Sequence, residues 1–154
     1  MQSEFIIRKI KPEEVDLLED IIVDSLSVRD YSGNELKRMI NRLEISSKLI
    51  QKSIIYVAEL KNKIIGFWLR EIQEDLSEGR FFVLKNYMKK GVGTALWKKM
   101  VHELKESHKL EYFTFISDEA ARSFYEKMGA TKIDEKPSVV LLGTNVPIMR
   151  YNLK

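Results

Sequence analysis

Two glycines one residue apart, Gly91 and Gly93, stand between a β-prone run, Phe81-Phe82-Val83-Leu84, and an apolar helical stripe through Leu96, Trp97, Met100, Val101 and Leu104. At a strand-to-helix turn, glycines let the backbone approach a ligand closely. The first N–H groups of the helix also point outward there, with the positive end of the helix dipole behind them. Such a turn can cradle a pyrophosphate, and Lys89 and Lys90 add positive charge beside it. The competing reading is structural: the same glycines permit a tight turn and close helix packing with no ligand. A Walker loop is excluded, because it needs a Gly-Lys-Ser/Thr ending and the residues after Gly93 are Thr94 and Ala95. A Rossmann fingerprint needs a third small residue where Leu96 stands, and it opens a fold near its first strand. Three or four strands precede this turn, so a dinucleotide reading survives only through Glu111, at about the expected spacing of some twenty residues.

The surrounding chain must position that turn. Phe5 to Ile10 is a short strand candidate, and Pro12 with Glu13 and Glu14 opens a helix whose stripe (Val15, Leu18, Ile22 and Leu26, with Leu17 and Ile21 beside them) is core to about residue 27. After the turn cluster Asp30-Tyr31-Ser32-Gly33-Asn34, a second helical pattern runs from Glu35 through Leu36, Met39, Ile40 and Leu43 toward Leu49. Ile54 to Leu60 and Ile64 to Leu69 read as an antiparallel hairpin joined by Lys61-Asn62-Lys63, where Asn can take positive φ. Beyond the glycine turn, Tyr112 to Ile116 is a strand and Asp118 to Lys127 a helix. Val139 to Leu142 and Pro147 to Leu153 are further strand candidates. A meander followed by helix-connected strands predicts one α+β or α/β layer domain over residues 1–154, without internal repeat or linker.

Two segments together resemble the GNAT superfamily of acyl-CoA-dependent N-acetyltransferases. Met88-Lys89-Lys90-Gly91-Val92-Gly93, continued by Thr94-Ala95-Leu96, is similar to that family's Arg/Gln-x-x-Gly-x-Gly/Ala turn, with Met88 where the family usually has Arg or Gln. Asp118-Glu119-Ala120-Ala121-Arg122-Ser123-Phe124-Tyr125-Glu126-Lys127-Met128-Gly129-Ala130 is similar to its Asn-x-x-Ala-x-x-Leu/Phe-Tyr-Glu-Lys-x-Gly-Phe/Ala segment, with Asp118 in place of Asn. Asp118 is also a plausible helix N-cap. The resemblance covers most of the chain and implies a mixed, mostly antiparallel twisted sheet of six to seven strands with helices on both faces.

It also implies acetyl transfer from acetyl-CoA to a primary amine by direct attack on the thioester. The backbone of Phe82, Val83 and Leu84 would face the thioester and pantetheine, and Met88, Lys89, Lys90, Gly91, Val92, Gly93 and Thr94 would hold the pyrophosphate. Asp118, Ala121 and Phe124 would line the pantetheine arm. Tyr125 would protonate the leaving thiolate, a phenol with a reference pKa near 10 keeping the proton that a thiol near 8.5 has lost. The alternative for Tyr125 is a core aromatic. Among Glu71, Glu74 and Glu78, the last is the first choice as general base, against the plain alternative of solvated strand-end charges. The resemblance places acceptor recognition at about residues 24–50 and 137–148, where Asp24, Asp30, Tyr31, Glu35 and Glu44 would attract a cationic amine.

Composition bounds the remaining classes. With 44% hydrophobic and 32% charged residues, the 154-residue chain is globular, neither disordered nor collagen-like. The absence of cysteine excludes disulfides, thiol nucleophiles and Cys-based zinc, leaving only His102 and His108 as imidazole ligands. Both read as surface residues, so no metal is expected. No run of about 18 apolar residues occurs, which predicts a cytoplasmic protein without membrane contact. A net charge of +3 leaves the basic stretch from Lys85 to Lys99 as either a solvated face or an anion site, and no recognition motif for nucleic acid accompanies it. The expected partners are an amine-bearing small molecule or a peptide or protein substrate, and the expected state is a monomer or homodimer. Two rival functions are a non-catalytic acyl-CoA-binding sensor, suggested by Met88 and Asp118, and nucleic-acid binding through the lysines.

Overall fold

Ile54-Ile55-Tyr56-Val57-Ala58 is apolar on both faces, and a strand of that kind needs a covering layer on each side. The computed structural model describes residues 4–77 and 79–154 and supplies both layers. In chain order these residues form β1 Ile6–Lys9, α1 Leu18–Leu26, α2 Gly33–Arg42, α3 Ser47–Gln51, β2 Ser53–Leu60, β3 Lys63–Glu71, β4 Gly79–Val83, α4 Val92–Glu106, β5 Tyr112–Ile116, α5 Arg122–Lys127, β6 Thr131–Pro137 and β7 Asn145–Asn152. One face of β2 and β3, with Ile54, Tyr56, Ala58 and Trp68, packs on Leu96, Trp97 and Met100 of α4. The other face, with Ile55, Val57, Phe67 and Leu69, packs on α1 and on Leu49 of α3. Leu18, Ile21, Ile22 and Leu26 of α1 are each at most 4% exposed. At about 1.5–3 kcal/mol of gross burial apiece, this stripe, not intrinsic propensity, holds a nine-residue helix in place.

The hairpin forms as expected. Lys61 and Asn62 both take positive φ (50° and 67°), which suits a two-residue turn between twisted strands. The seven strands divide into an antiparallel sheet in the order β1-β2-β3-β4 and an antiparallel sheet in the order β5-β7-β6. Among the described residues no ladder joins β4 to β5. The segment just before β4 takes that place instead: Thr114 of β5 donates its N–H to the Glu74 carbonyl (2.7 Å), and its Oγ1 accepts the Leu76 N–H (2.6 Å). The Glu74 carboxylate accepts the Glu111 N–H and the Tyr112 hydroxyl donates to Asp75. Arg70, 1% exposed, lies 4.3 Å over the Phe113 ring and donates to the Gln73 carbonyl. The strands are thus pinned together through residues 70–76 and part beyond them.

Four expectations change. The helix expected from Glu35 toward Leu49 breaks at 43–46, because Ser46 caps a new helix by accepting the Leu49 N–H, and buried Arg80 takes up the carbonyls of Leu43 and Glu44. Leu17 ends a 3-10 turn over Pro12–Leu17 and is 48% exposed, so it is not core. Val139 to Leu142 is no strand: Ser138 Oγ accepts the N–H groups of Val140 and Leu141 and closes a turn, with Val140 buried and Val139 and Leu142 exposed. The strand before β7 is Thr131–Pro137 instead, an edge strand exposed along its length and therefore without apolar alternation.

Candidate active site

β4 runs into a 3-10 turn over Lys85–Tyr87, and Asp24 Oδ2 accepts the Lys85 N–H (2.8 Å), tying α1 to this turn. Lys89 (φ 60°) and Gly91 (φ 87°) are both left-handed, and Gly91 caps α4. The first amide of α4 to close an intrahelical bond is Ala95, on the Gly91 carbonyl, so the amides of Val92, Gly93 and Thr94 lack intrahelical acceptors. A β-carbon on Gly91 would meet nothing within 4 Å. Three outward amides at the start of a 15-residue helix thus stand beside open space, the arrangement that the cradle reading requires. Lys89 and Lys90 are exposed next to it, Lys90 Nζ lying 5.9 Å over the Tyr87 ring. Met88 is partly buried.

Gly93 takes part in the packing of the rival reading, since a β-carbon there would meet the Phe124 ring at 3.4 Å, an ordinary contact that does not by itself demand glycine. That close approach sets α5 against the start of α4 and brings Tyr125 beside β4. The Tyr125 ring meets Phe115 (4.7 Å between centroids), Trp97 (5.9 Å) and Phe81 (6.2 Å), and Phe81 itself stacks on Trp68. Among the described residues the Tyr125 hydroxyl has no hydrogen-bond partner. Burial first, and the charge of Asp118 second, push its phenol well above the usual range, with Arg29 opposing, so it stays protonated across ordinary pH.

Asp118 caps the turn that leads into α5, its Oδ1 accepting the Ala121 N–H at 2.8 Å as the N-cap reading expects. Its Oδ2 lies 3.1 Å from Nη1 of Arg29, in the α1–α2 connection. Tyr31 of the same connection has its phenol raised by burial and then by Asp118. Arg29, Tyr31, Asp118 and Tyr125 therefore share one electrostatic neighbourhood.

The comparisons with known proteins bear on the family and the fold. The model of the Acetyltransferase (GNAT) domain matches residues 17–142. The chain belongs to the GNAT acetyltransferase family. A GCN5-related N-acetyltransferase from Rhodopseudomonas palustris superposes on this GNAT domain with a TM-score of 0.80 at 18% identity, covering 99% of this chain and 98% of the other. The PaiA N-acetyltransferase from Thermoplasma acidophilum, in complex with coenzyme A, superposes at 0.77 with 19% identity over 97% and 99%. An aminoglycoside 6'-N-acetyltransferase complexed with coenzyme A superposes at 0.72 with 16% identity over 97% of each chain. No curated protein matches the chain.

Within the GNAT domain not every predicted site residue falls in place. Leu84 donates its N–H to the Ile65 carbonyl (2.8 Å), and the same ladder register directs the Phe82 amide at β3. Alternation then leaves the amides of Phe81 and Val83 on the open edge of β4, so Phe81, which the sequence reading passed over, shares the outward orientation with Val83. Glu78 lies outside the described residues. Glu71 pairs with Lys52 at 3.6 Å, and the Glu74 carboxylate is held by the Glu111 N–H, so both serve the sheet. Of the acidic residues expected to attract an amine, Asp24 ties the turn, Glu35 closes the Ser32 capping box, and Asp30 and Glu44 are exposed. His102 is exposed as expected, while His108 is partly buried. Gly66 was missed as well: a β-carbon there would come within 3.1 Å of the Phe82 carbonyl and 3.3 Å of Val92, so it lets the cradle sit close to β3. Among the described residues no helix is long and apolar enough to cross a membrane, and no group of side chains is arranged to hold a metal ion.

Proposed function

We propose that this GNAT domain transfers an acetyl group from acetyl-CoA to a primary amine. The observation that supports the reading is the junction at Gly93 and Phe124, where Tyr125, a phenol without a hydrogen-bond partner among the described residues, lies against the Phe81 ring of β4 and next in the chain to the residue that meets the first turn of α4. The cradle fits a pyrophosphate: Gly91 leaves open space, and the amides of Val92, Gly93 and Thr94 with Lys89 and Lys90 would hold its charge. Ala121 and Phe124 would flank the pantetheine arm, and Val83 would offer its amide. Acetyl-CoA, when bound, supplies an acyl group activated as a thioester.

In the transfer a C–N bond forms, the C–S bond breaks, one amine proton goes to a base and one proton goes to sulfur. Glu78, which precedes Gly79 in the sequence, is proposed to take the amine proton directly or through water. Tyr125 presents its O–H to the leaving sulfur. Its raised pKa keeps the O–H protonated as it hydrogen-bonds the developing thiolate, and the proton that the sulfur takes from it is replaced from solvent, a form of help that depends most on placement.

Thermal unfolding with and without excess acetyl-CoA tests the reading, with NADH and ATP as controls. Ligand at about a hundred times its Kd adds roughly 2.7 kcal/mol, a shift of several degrees for a domain of this size. A shift with acetyl-CoA alone, followed by acetyl transfer to an amine, is expected. No shift would refute it. The capping of Ala121 by Asp118 favours one rival, a non-catalytic acyl-CoA sensor, because that carboxylate is already engaged. A sensor binds acetyl-CoA, acetylates no amine, and is unaffected in thioester hydrolysis by Tyr125→Phe.

A further inference from the structure

Arg29 is the least satisfied charged group near Tyr125. Its side chain is 24% exposed and Nη1 is buried, yet Nη1 makes no aligned hydrogen bond despite lying 3.1 Å from Asp118 Oδ2. Among the described residues no other acceptor meets the guanidinium. Asp118 cannot improve the pairing by turning, because its Oδ1 is held by the Ala121 N–H at 2.8 Å. A planar guanidinium carries five donors in a fixed fork that matches a carboxylate, and shielded donors left unmade cost free energy. The contact partner lies on the β5–α5 turn beside Tyr125, not on the β4–α4 turn whose amides form the anion cradle, so a phosphate of acetyl-CoA is not the group that Arg29 awaits.

We propose that Arg29 binds a carboxylate of the acceptor and Asp118 its ammonium group, so that the substrate is an amino acid or a similar amino carboxylate. The proposal rests on the acetyltransferase reading above. Entry of such a zwitterion exchanges one misaligned pair for two good ones: the acceptor carboxylate takes the guanidinium fork and the acceptor ammonium takes the freed Asp118 oxygen. All four charges are then compensated, whereas a plain amine would strand Arg29 without an anion. Acetylation turns the ammonium into a neutral amide, so the product loses its hold on Asp118 and the Arg29–Asp118 contact can reform.

The test compares acetyl transfer to several amino acids, each against its own carboxamide, which keeps the amine and the side chain and removes only the charge. Expected is a kcat/KM about tenfold or more higher for the acid, the range of a charge-assisted hydrogen bond, carried mainly by KM. In Arg29→Met the preference falls to about one, while protection by acetyl-CoA is unchanged. Arg29→Gln gives the same reading should the apolar variant not fold. Equal rates for acid and carboxamide in the unaltered protein, or a preference that survives both variants, would overturn the proposal and leave the acetyltransferase reading standing. No protection by acetyl-CoA would overturn both, whereas protection without transfer to either series would overturn the amino-carboxylate proposal and leave the acetyltransferase reading to other amines.

Discussion

The backbone of α4 at Gly93 rests on the ring of Phe124, with a hypothetical β-carbon only 3.4 Å from Cε1 and Cζ. Gly93 is itself the middle one of the three outward amides, and one residue later along α5 is Tyr125. The contact therefore sets the distance between the two parts of the site, and it distinguishes the two glycines. Gly91 answers to its backbone conformation, with φ at 87° and no neighbour to clash with. Gly93 answers to a neighbour.

The two glycines should consequently respond differently to an added side chain. Gly91→Val is expected to cost about 1–3 kcal/mol through backbone strain and to abolish stabilisation by acetyl-CoA while the fold persists. Gly93→Ala, at ordinary contact distance from Phe124, should retain both stability and stabilisation by the ligand. Titration calorimetry with acetyl-CoA checks both. Undiminished affinity in Gly91→Val would remove the cradle from the binding site.

Tyr125→Phe keeps the ring contacts with Phe81, Trp97 and Phe115 and removes only the O–H. A fall in kcat of about a hundredfold or more is expected, with the affinity for acetyl-CoA nearly intact. The pH dependence has a definite sign. A phenol raised by folding favours the folded state below its unfolded pKa near 10 and loses that contribution as pH climbs toward its folded value. Stability of the unaltered protein should therefore decline above about pH 10, more steeply than in Tyr125→Phe. Identical alkaline slopes would contradict the placement of the hydroxyl.

Acid acts elsewhere, on the N-terminal edge. The Arg8 guanidinium donates to both carboxylate oxygens of Glu14, at 2.9 and 2.7 Å, and pulls that carboxyl down to about 2. Glu103 is likewise lowered to about 2, by the hydroxyls of Ser107 and Tyr56. Lowered carboxyls stabilise the fold above their unfolded pKa, and the contribution is lost as pH falls from about 4.5 toward about 2. Urea midpoints across that window should drop with pH, and Glu14→Gln should flatten part of the drop. A pH-independent midpoint would mean that the Arg8 pair does not persist in solution.

Arg80 should matter for stability and not for chemistry. Its side chain reaches the carbonyls of Leu43 (2.9 Å) and Glu44 (3.1 Å) where α2 gives way to α3. Arg80→Met leaves those part-buried acceptors unpaired, and a loss of about 1–3 kcal/mol is expected in the denaturant midpoint with an unchanged m-value. A loss under about 0.5 kcal/mol, the usual size for an ordinary surface change, would show that water replaces the guanidinium there.

How much of this was legible in the chain follows from where each signal resides. The cradle was readable because strand, glycines and helix are consecutive, and Tyr125 because it shares a continuous segment with Asp118. The Asn62 turn and the α1 stripe are local for the same reason. The break between α2 and α3 was hidden, since Arg80 lies far along the chain from the carbonyls that it binds. β6 was hidden because an edge strand exposed on both faces needs no apolar alternation, while the apolar run from Val139 to Leu142 imitated a strand and forms a turn closed by Ser138.

The sequence by itself determined the class of the fold and marked the two segments proposed to bear the chemistry, because helix starts, turns and strand alternation depend on neighbours a few residues away. Only the tertiary structure decided which atoms face the site. The ladder register turned the amides of Phe81 and Val83 outward and those of Phe82 and Leu84 inward. The pinning of β5 by Arg70 and residues 73–76 parted the sheets, and the fold of α1 against β4 carried Arg29 to within 3.1 Å of Asp118. Each of these is a contact between residues far apart in the chain, whose pairing follows from packing geometry and has no signature in local spacing.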